Sequence, residues 1–270
     1  MSKRLKIKIL SENTVYKRNL RAEHGLSFYF EYGDKKYLFD TGQGLVLKDN
    51  ADQLDIDLKE IDTVILSHGH DDHTGGLKEL LKINPSINVA AHPDLFIPKY
   101  KIENNKNQFI GTDVKIRDIN FINAREKEEV SRGINISKDV KVKDNSSFKK
   151  RYIIKDNKQE KVDKFNDEIS LYIETEKGLV ILLGCSHKGI VNIIKDIKER
   201  TNQRIAGILG GLHLKHSSGQ EVIEIMNYFD SINFDLLVPV HCTGREVAML
   251  FKDHFEEKVK LSSVGDTFIF

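Results

Sequence analysis

Ser67-His68-Gly69-His70-Asp71-Asp72-His73-Thr74-Gly75-Gly76 places three imidazoles and two carboxylates within six residues. Imidazole is the commonest protein ligand for zinc and similar divalent ions, and carboxylates complete such sites. The whole chain holds 10 histidines in 270 residues, so chance rarely supplies three in six positions. Asp72 taken alone is also a good helix N-cap, and a solvated loop before a helix needs nothing more. The spacing favours metal. A loop leaving a strand can aim His68 and His70 the same way, while Asp72 and His73 open a helix and face a second ion. Gly75-Gly76 lets the backbone pack closely behind them.

Further candidates lie far away in sequence but share one kind of position. Asp40, His68, Cys185-Ser186-His187 and His241 each follow an apolar run directly. In α/β sheets, ligand sites gather at strand ends, where loops aim side chains into a crevice. That shared placement predicts one shared site. His213 follows Gly210-Gly211 at another strand end, with binding substrate, donating a proton and lining the pocket all open to it. His24 precedes Gly25 at the start of a hairpin and stands as a residue over the site. His92, His216 and His254 have no partner pattern, and Cys242 reads as packed beside His241.

The elements that must carry these residues follow from hydrophobic periodicity. Leu5, Ile7 and Ile9 alternate with lysines, as in a strand. Residues 27–32 and 36–40 flank Gly33-Asp34 as a β-hairpin. Strands are expected at 63–66, 88–91, 169–173, 179–183, 205–209, 236–240 and 265–270, and helices at 72–82, 190–200, 220–229 and 246–255. LVILL, 179–183, is apolar enough to be buried on both faces. Residues from about 95 to 165 are rich in Lys, Asn and Asp and poorly periodic. They read as an insertion of short strands and loops within a single domain, 1–270, and as a lid over the site. Lys149, Lys150 and Arg151 form a basic cluster there, which either holds an anionic substrate or is a solvated run.

Composition bounds the classes. An apolar fraction of 39% and a charged fraction of 31% are ordinary for a globular protein. Forty-two basic against 41 acidic residues leave a charge of +1, which argues against a nucleic-acid or membrane footprint. No run approaches the ~18 apolar residues of a membrane span. Lys6 and Lys8 interrupt the N-terminal apolar residues, so no signal peptide is read and a cytoplasmic protein is expected. Two cysteines make no disulfide framework, and both stand beside histidines. No Walker-type loop is present, and no Gly-x-Gly-x-x-Gly follows a strand.

His68-x-His70-x-Asp72-His73 resembles the signature of the metallo-β-lactamase superfamily. Phe39-Asp40-Thr41-Gly42 resembles its first motif, whose Asp supports the ligand loop, and Val238-Pro239-Val240-His241 its last, whose His binds the second metal. The resemblance runs from about residue 24 to 245 and implies an α/β fold, the αββα sandwich of two βα half-repeats. Glu23-His24-Gly25-Leu26-Ser27, Gly184-Cys185-Ser186-His187-x-Gly189-Ile190-x-Asn192, Gly210-Gly211-Leu212-His213-Leu214 and His241-Cys242-Thr243-Gly244 resemble the branch that takes its name from 7,8-dihydropterin-6-methyl-4-(β-D-ribofuranosyl)aminobenzene-5′-phosphate synthase. The middle of the chain departs from the superfamily. Asn166-Asp167-Glu168 stands where a Gly-His-Thr is usual, and Gly184-Cys185-Ser186-His187 ends the strand that usually ends in a bridging Asp. The simplest repair gives His187 the missing imidazole role. Cys185 is then either a thiolate ligand at the bridging place or a buried, inert cysteine, and Asp167 or Glu168 supports the site.

The resulting expectation is a hydrolase, or a related lytic or transfer enzyme, with a dinuclear centre. The ligands are His68, His70, Asp72, His73, His187, His241 and Cys185. The metals are two zinc ions, with iron or manganese as alternatives. Asp72 orients water and His213 serves the oxyanion or leaving group. The substrate is a small molecule, a phosphoester or a pterin-linked compound. Two other classes stay open: a di-iron redox protein, marked by iron and visible absorbance, and a non-catalytic metal- or ligand-binding protein, marked by binding without turnover.

Overall fold

The computed structural model describes residues 4–142, 151–156 and 159–270. Within them, a seven-stranded sheet runs in the spatial order Thr267–Ile269, Leu5–Ser11, Ser27–Tyr32, Lys35–Phe39, Thr63–Ile65, Asn88–Ala91, Asn120–Asn123. A six-stranded sheet runs Leu237–Pro239, Ile205–Gly210, Gly178–Leu183, Ser170–Thr175, Ile134–Ser137, Glu129–Ser131. The two sheets face one another across one core, and helices cover both outer faces. This is the αββα sandwich.

Side-chain alternation decides which residue enters which layer. In Ser27–Tyr32, Phe28 and Phe30 join the inter-sheet core, whereas Tyr29 points to the helices outside. In Gly178–Leu183, Val180 and Leu182 face the other sheet, and Leu179, Ile181 and Leu183 pack under the outer helices. A strand buried on both faces has no polar side to spare, which is why the LVILL run carries no charge. The outer helix Ile190–Thr201 answers with Ile190, Ile193, Ile194 and Ile197 on one stripe. It ends where Asn202 turns left-handed, with φ 48°. Helix Gly219–Asp230 starts on Ser218, whose side chain accepts from the Glu221 amide at 3.2 Å.

The helix expected at 72–82 is two helices, Asp71–Thr74 and Leu77–Ile83. Gly75 and Gly76 lie between them because a Cβ there would fall 2.3 Å from the Gln43 and Thr41 carbonyl oxygens. The loop after strand Lys35–Phe39 packs into that gap, so the residue after it, Asp40, sits against His73. The closing strand proper is Thr267–Ile269, and backbone hydrogen bonds of Gly265 and Asp266 to Ile9 and of Phe270 to Leu5 extend its pairing with the first strand over the expected 265–270.

The region from 95 to 165 divides. Its middle completes the sandwich, with Asn120–Asn123 as the edge of the first sheet and Glu129–Ser131 and Ile134–Ser137 as the edge of the second. Its two ends form a separate antiparallel sheet, ordered Gln159–Val162, Tyr152–Asp156, Lys99–Glu103, Lys106–Phe109. No helix among the described residues is long and apolar enough to cross a membrane.

Candidate metal centre

Strands Lys35–Phe39, Thr63–Ile65, Asn88–Ala91 and Asn120–Asn123 are parallel, as are Gly178–Leu183, Ile205–Gly210 and Leu237–Pro239. The carboxyl ends of both sets open on the same edge of the sandwich. The backbone is strained there: Asp40, Ser186, His213 and His241 have φ of 60°, 61°, 55° and 53°. Left-handed backbone away from glycine is uncommon and clusters where side chains must be aimed.

The aimed atoms converge. His68, His70 and His187 present ligand nitrogens that lie within 4.8 Å of one another, and so do His68, His73 and Cys185 as a second group. Cys185 Sγ is 3.1 Å from His73 Nε2, which is 3.2 Å from His241 Nε2. Asp72 completes this half, its Oδ2 3.4 Å from His241 Nε2. His68 and Cys185 thus stand between two donor sets, one all-imidazole and one mixed. His187, separated from the His68 motif by more than a hundred residues, enters the first set.

The supports fix how each ring is protonated. The Asp40 carboxylate accepts from the Ser67 amide and from Ser67 Oγ, both at 2.7 Å. With its one proton committed there, Ser67 Oγ accepts from His68 Nδ1 at 2.9 Å. Asp40 Oδ2 also accepts from His73 Nδ1 at 2.7 Å. His241 Nδ1 donates to Asn13 Oδ1 at 2.9 Å. His68 and His241 therefore turn an Nε2 lone pair toward the centre, and His73 does so once its Nε2 gives up a proton, the arrangement by which carboxylates and amides orient metal-bound histidines. Nε2 of His68, His70 and His187 is buried without a hydrogen-bond partner among the described residues. Buried polar atoms are nearly always satisfied, so three orphans pointing together fit a cation.

Charge divides the two sets. Burial holds His70 down to about 3, and burial with neighbouring imidazoles holds His68 and His187 well below their ordinary value. All three rings are neutral. Burial also opposes charge on His73, but Asp40 and Asp72 outweigh it and lift it to about 9. Burial works against an ionised Asp72, yet His73 and His241 hold its carboxyl well below the carboxylate range. Burial and the adjacent Cys242 sulfur push the Cys185 thiol well up.

Asp167 and Glu168 hold loops. Asp167 accepts from the Gly69 amide at 2.7 Å and from Lys99 Nζ at 3.0 Å, which shapes the turn between His68 and His70. Glu168 accepts from the His187 and Lys188 amides at 2.6 and 2.8 Å. Sequence reasoning missed Lys99, Glu12, Asn13 and the aromatic wall. Glu12 accepts from the His241 amide at 2.8 Å. Phe165 stacks on the His187 ring at 3.9 Å. Glu12 and Asn13 follow the first strand directly, so the strand-end rule applied there finds them. Lys99, Tyr152 and Phe165 have no such signal.

The family model described as the metallo-beta-lactamase superfamily matches residues 20–157. The chain belongs to that superfamily. An uncharacterized protein of Methanocaldococcus jannaschii is 37% identical over 247 residues, which is 88% of this chain and 90% of that protein. The 7,8-dihydropterin-6-methyl-4-(beta-D-ribofuranosyl)-aminobenzene-5′-phosphate synthase of the same organism is 30% identical, over 97% of this chain and 95% of its own. Among solved structures, Tm1679, described as a metal-dependent hydrolase of the beta-lactamase superfamily, superposes with a TM-score of 0.86 at 30% identity, covering 98% of both chains.

The remaining candidates of this metallo-β-lactamase-fold protein lie around the cluster. His213 has its ring centroid 4.3 Å from that of His187, and its Nδ1 is buried without a partner among the described residues. His24 is exposed and places Nε2 3.4 Å from Asp72 Oδ2. Cys242 lies beside Cys185, its Sγ 3.5 Å from the Cys185 carbonyl oxygen. Arg151 lines the cavity over the cluster and packs on Tyr152 at 5.0 Å. Lys149 and Lys150 lie outside the described residues. His92 caps a short 3-10 turn and His254 meets Asp230 on the surface, both away from the cluster.

Proposed function

We propose that this superfamily member is a hydrolase with a dinuclear metal centre. His68, His70 and His187 would hold one ion, and Asp72, His73 and His241 the other, with Cys185 lying between the two donor sets. The observation that carries the reading is the set of buried, unpartnered Nε2 atoms with their tautomers fixed from behind. Bound divalent ions supply Lewis acidity: they bring the pKa of water toward about 7 and polarise a carbonyl or phosphoryl oxygen.

The chain's own residues do the rest. Asp72 keeps its charge and accepts a proton-bearing contact from attacking water. His24, 3.4 Å from Asp72, steadies that carboxylate from the solvent side. Phe165 and Tyr152 wall the imidazole half against bulk water. His213, whose Nδ1 has no other partner among the described residues, donates a proton to the leaving group. Arg151 faces an anionic substrate from the extra sheet, which serves as the lid. The name of the Methanocaldococcus jannaschii relative, a synthase of a pterin-linked 5′-phosphate, supports a phosphorylated, pterin-linked compound in the site.

Metal analysis combined with a panel of phosphoesters, thioesters and lactones tests this. The expected result is two ions per chain and turnover of a phosphoester that chelation abolishes. Iron with visible absorbance and electron transfer would replace the reading with a redox protein. Tight small-molecule binding without turnover would replace it with a binding protein.

A further inference from the structure

The cavity directly over the cluster is about 230 Å³ and is lined by His70, Asp72, His187, His213, Arg151 and Lys215 among others. Sites for small-molecule substrates run from about 300 to 1,000 Å³, so this space holds a reacting group and little more. A second cavity of about 440 Å³ lies beside it, with Tyr16, Arg245 and Leu261 in its wall. Asn13, Lys215 and His241 line both. One of these, His241, belongs to the cluster, and another, Asn13, orients it. Lys215 is the third, and it contributes nothing to the metal ligands.

The fold places Lys215 with care. Its amide donates to the Cys242 carbonyl oxygen at 3.2 Å. Gly244, at φ 79°, lies so close beneath it that a Cβ would meet Lys215 Cα and Cβ at 3.0 Å. The loop after strand Ile205–Gly210 is thereby fastened to the loop after strand Leu237–Pro239. Its ammonium makes no ion pair among the described residues, although acidic groups are common on this surface. Across the opening, Arg151 spends Nη2 on Tyr152 Oη at 3.2 Å and leaves Nε buried without a partner among the described residues. Lys215, Arg151 and Lys101, the last paired with Glu103, therefore line one cavity. Against them the cavity over the cluster offers Asp72, whose charge His73 and His241 already engage.

We propose that the two cavities form one substrate cleft and that Lys215, at their join, binds a tetrahedral oxyanion of an elongated substrate, with Arg151 opposite. The body of the substrate fills the larger cavity and its scissile bond lies over the cluster. The inference rests on the hydrolase reading for the place of the reaction, and it adds the substrate's length and charge and the residue that selects them.

Binding calorimetry on the metal-loaded chain tests the proposal, with metal content measured for every variant. The probes are a naphthyl phosphonate and the neutral naphthyl methyl sulfone. Lys215→Ala is expected to weaken the phosphonate about tenfold, as loss of one charge-assisted contact does, and to leave the sulfone unchanged. Lys215→Arg restores phosphonate affinity to within about threefold. Gly244→Ala, which pushes Lys215 aside, reproduces the loss in a chain that keeps the lysine. Leu261→Glu, which charges the larger cavity, weakens both probes but not methylphosphonate. Wild-type phosphonate affinity in Lys215→Ala, or equal loss of both naphthyl probes, would overturn the assignment. Because these are binding measurements, they stand apart from turnover. A chain that hydrolyses nothing but discriminates the probes loses the hydrolase reading alone, and one that hydrolyses but does not discriminate loses this one alone.

Discussion

His68, His70 and His187 differ from Asp72, His73, Cys185 and His241 in what holds them ready. In the first set the Nε2 atoms have no hydrogen-bond partner among the described residues, and burial keeps every ring neutral. In the second set the donors touch one another, and two carboxylates, Asp40 and Asp72, set the charge. The imidazole set is a desolvated pocket of neutral donors. The mixed set is an electrostatic cluster that already satisfies itself in part through His73. The first should bind metal with little proton release, and the second should exchange a proton for it.

The largest expected effect comes from breaking the imidazole set. His68→Ala with His70→Ala should lower metal content from two ions to one or fewer and reduce turnover by at least about 1,000-fold, because the electrophile loses its polarising ion. Elemental analysis and kinetics on the folded variant check this, and unchanged metal content would remove these residues from the centre.

Next in size is the ion triad behind that set. Lys99 is 2% exposed and lies 3.0 Å from both Asp163 and Asp167. Lys99→Met leaves two buried carboxylates facing each other. It should cost about 3–5 kcal/mol in denaturant unfolding, whereas Lys36→Met on the surface should cost under about 1. The loss should fall on the imidazole half, since Asp167 holds the Gly69 amide.

The mixed set is sharpened by Asp40→Asn. The amide keeps the shape but no longer charges the His73 ring or accepts all of its present donors. Affinity for the second ion should fall about 10- to 100-fold, as for other supporting partners of metal-bound histidines, and that for the first by less, because Asp40 reaches His68 only through Ser67. Competition with a calibrated chelator reads the two affinities separately.

The smallest effect is the acid response of the metal-free chain. His70 is held at about 3 in the fold against an ordinary 6.5. Between those values the unfolded chain binds the proton and the folded chain does not, so stability falls as pH drops below about 6.5. At pH 5 the loss from His70 is about 2 kcal/mol. Thermal melts at pH 7 and 5 should show a steeper fall for the metal-free protein than for its His70→Ala variant.

The sequence was most legible where chemistry is dense and local. The motif from His68 to His73 announces itself because its donors are neighbours in the chain, and the strand ends at Asp40, His187 and His241 follow from apolar runs that stop at polar residues. The sandwich was legible through the likeness of the Asp40, His68–His73 and His241 motifs to the superfamily, while apolar runs such as 179–183 marked only individual buried strands. What stayed hidden depends on contacts across the fold. Asn13 reaches His241 and Lys99 reaches Asp167 over separations that no spacing encodes. Region 95–165 looked like one insertion because its short edge strands carry weak periodicity, yet its middle pairs with both main sheets and its ends alone form the extra one. Helix 72–82 was split by the loop that presses on Gly75 and Gly76, a contact absent from any helical pattern.

A crystal structure of the metal-loaded protein, with anomalous scattering recorded on both sides of the metal absorption edge, tests the dinuclear claim most directly. The account predicts two peaks per chain. One should lie about 2.0–2.1 Å from a nitrogen of His68, His70 and His187, and the other at similar distances from His73, His241 and an oxygen of Asp72. A single peak, or a His187 ring more than about 5 Å from either ion, would contradict it.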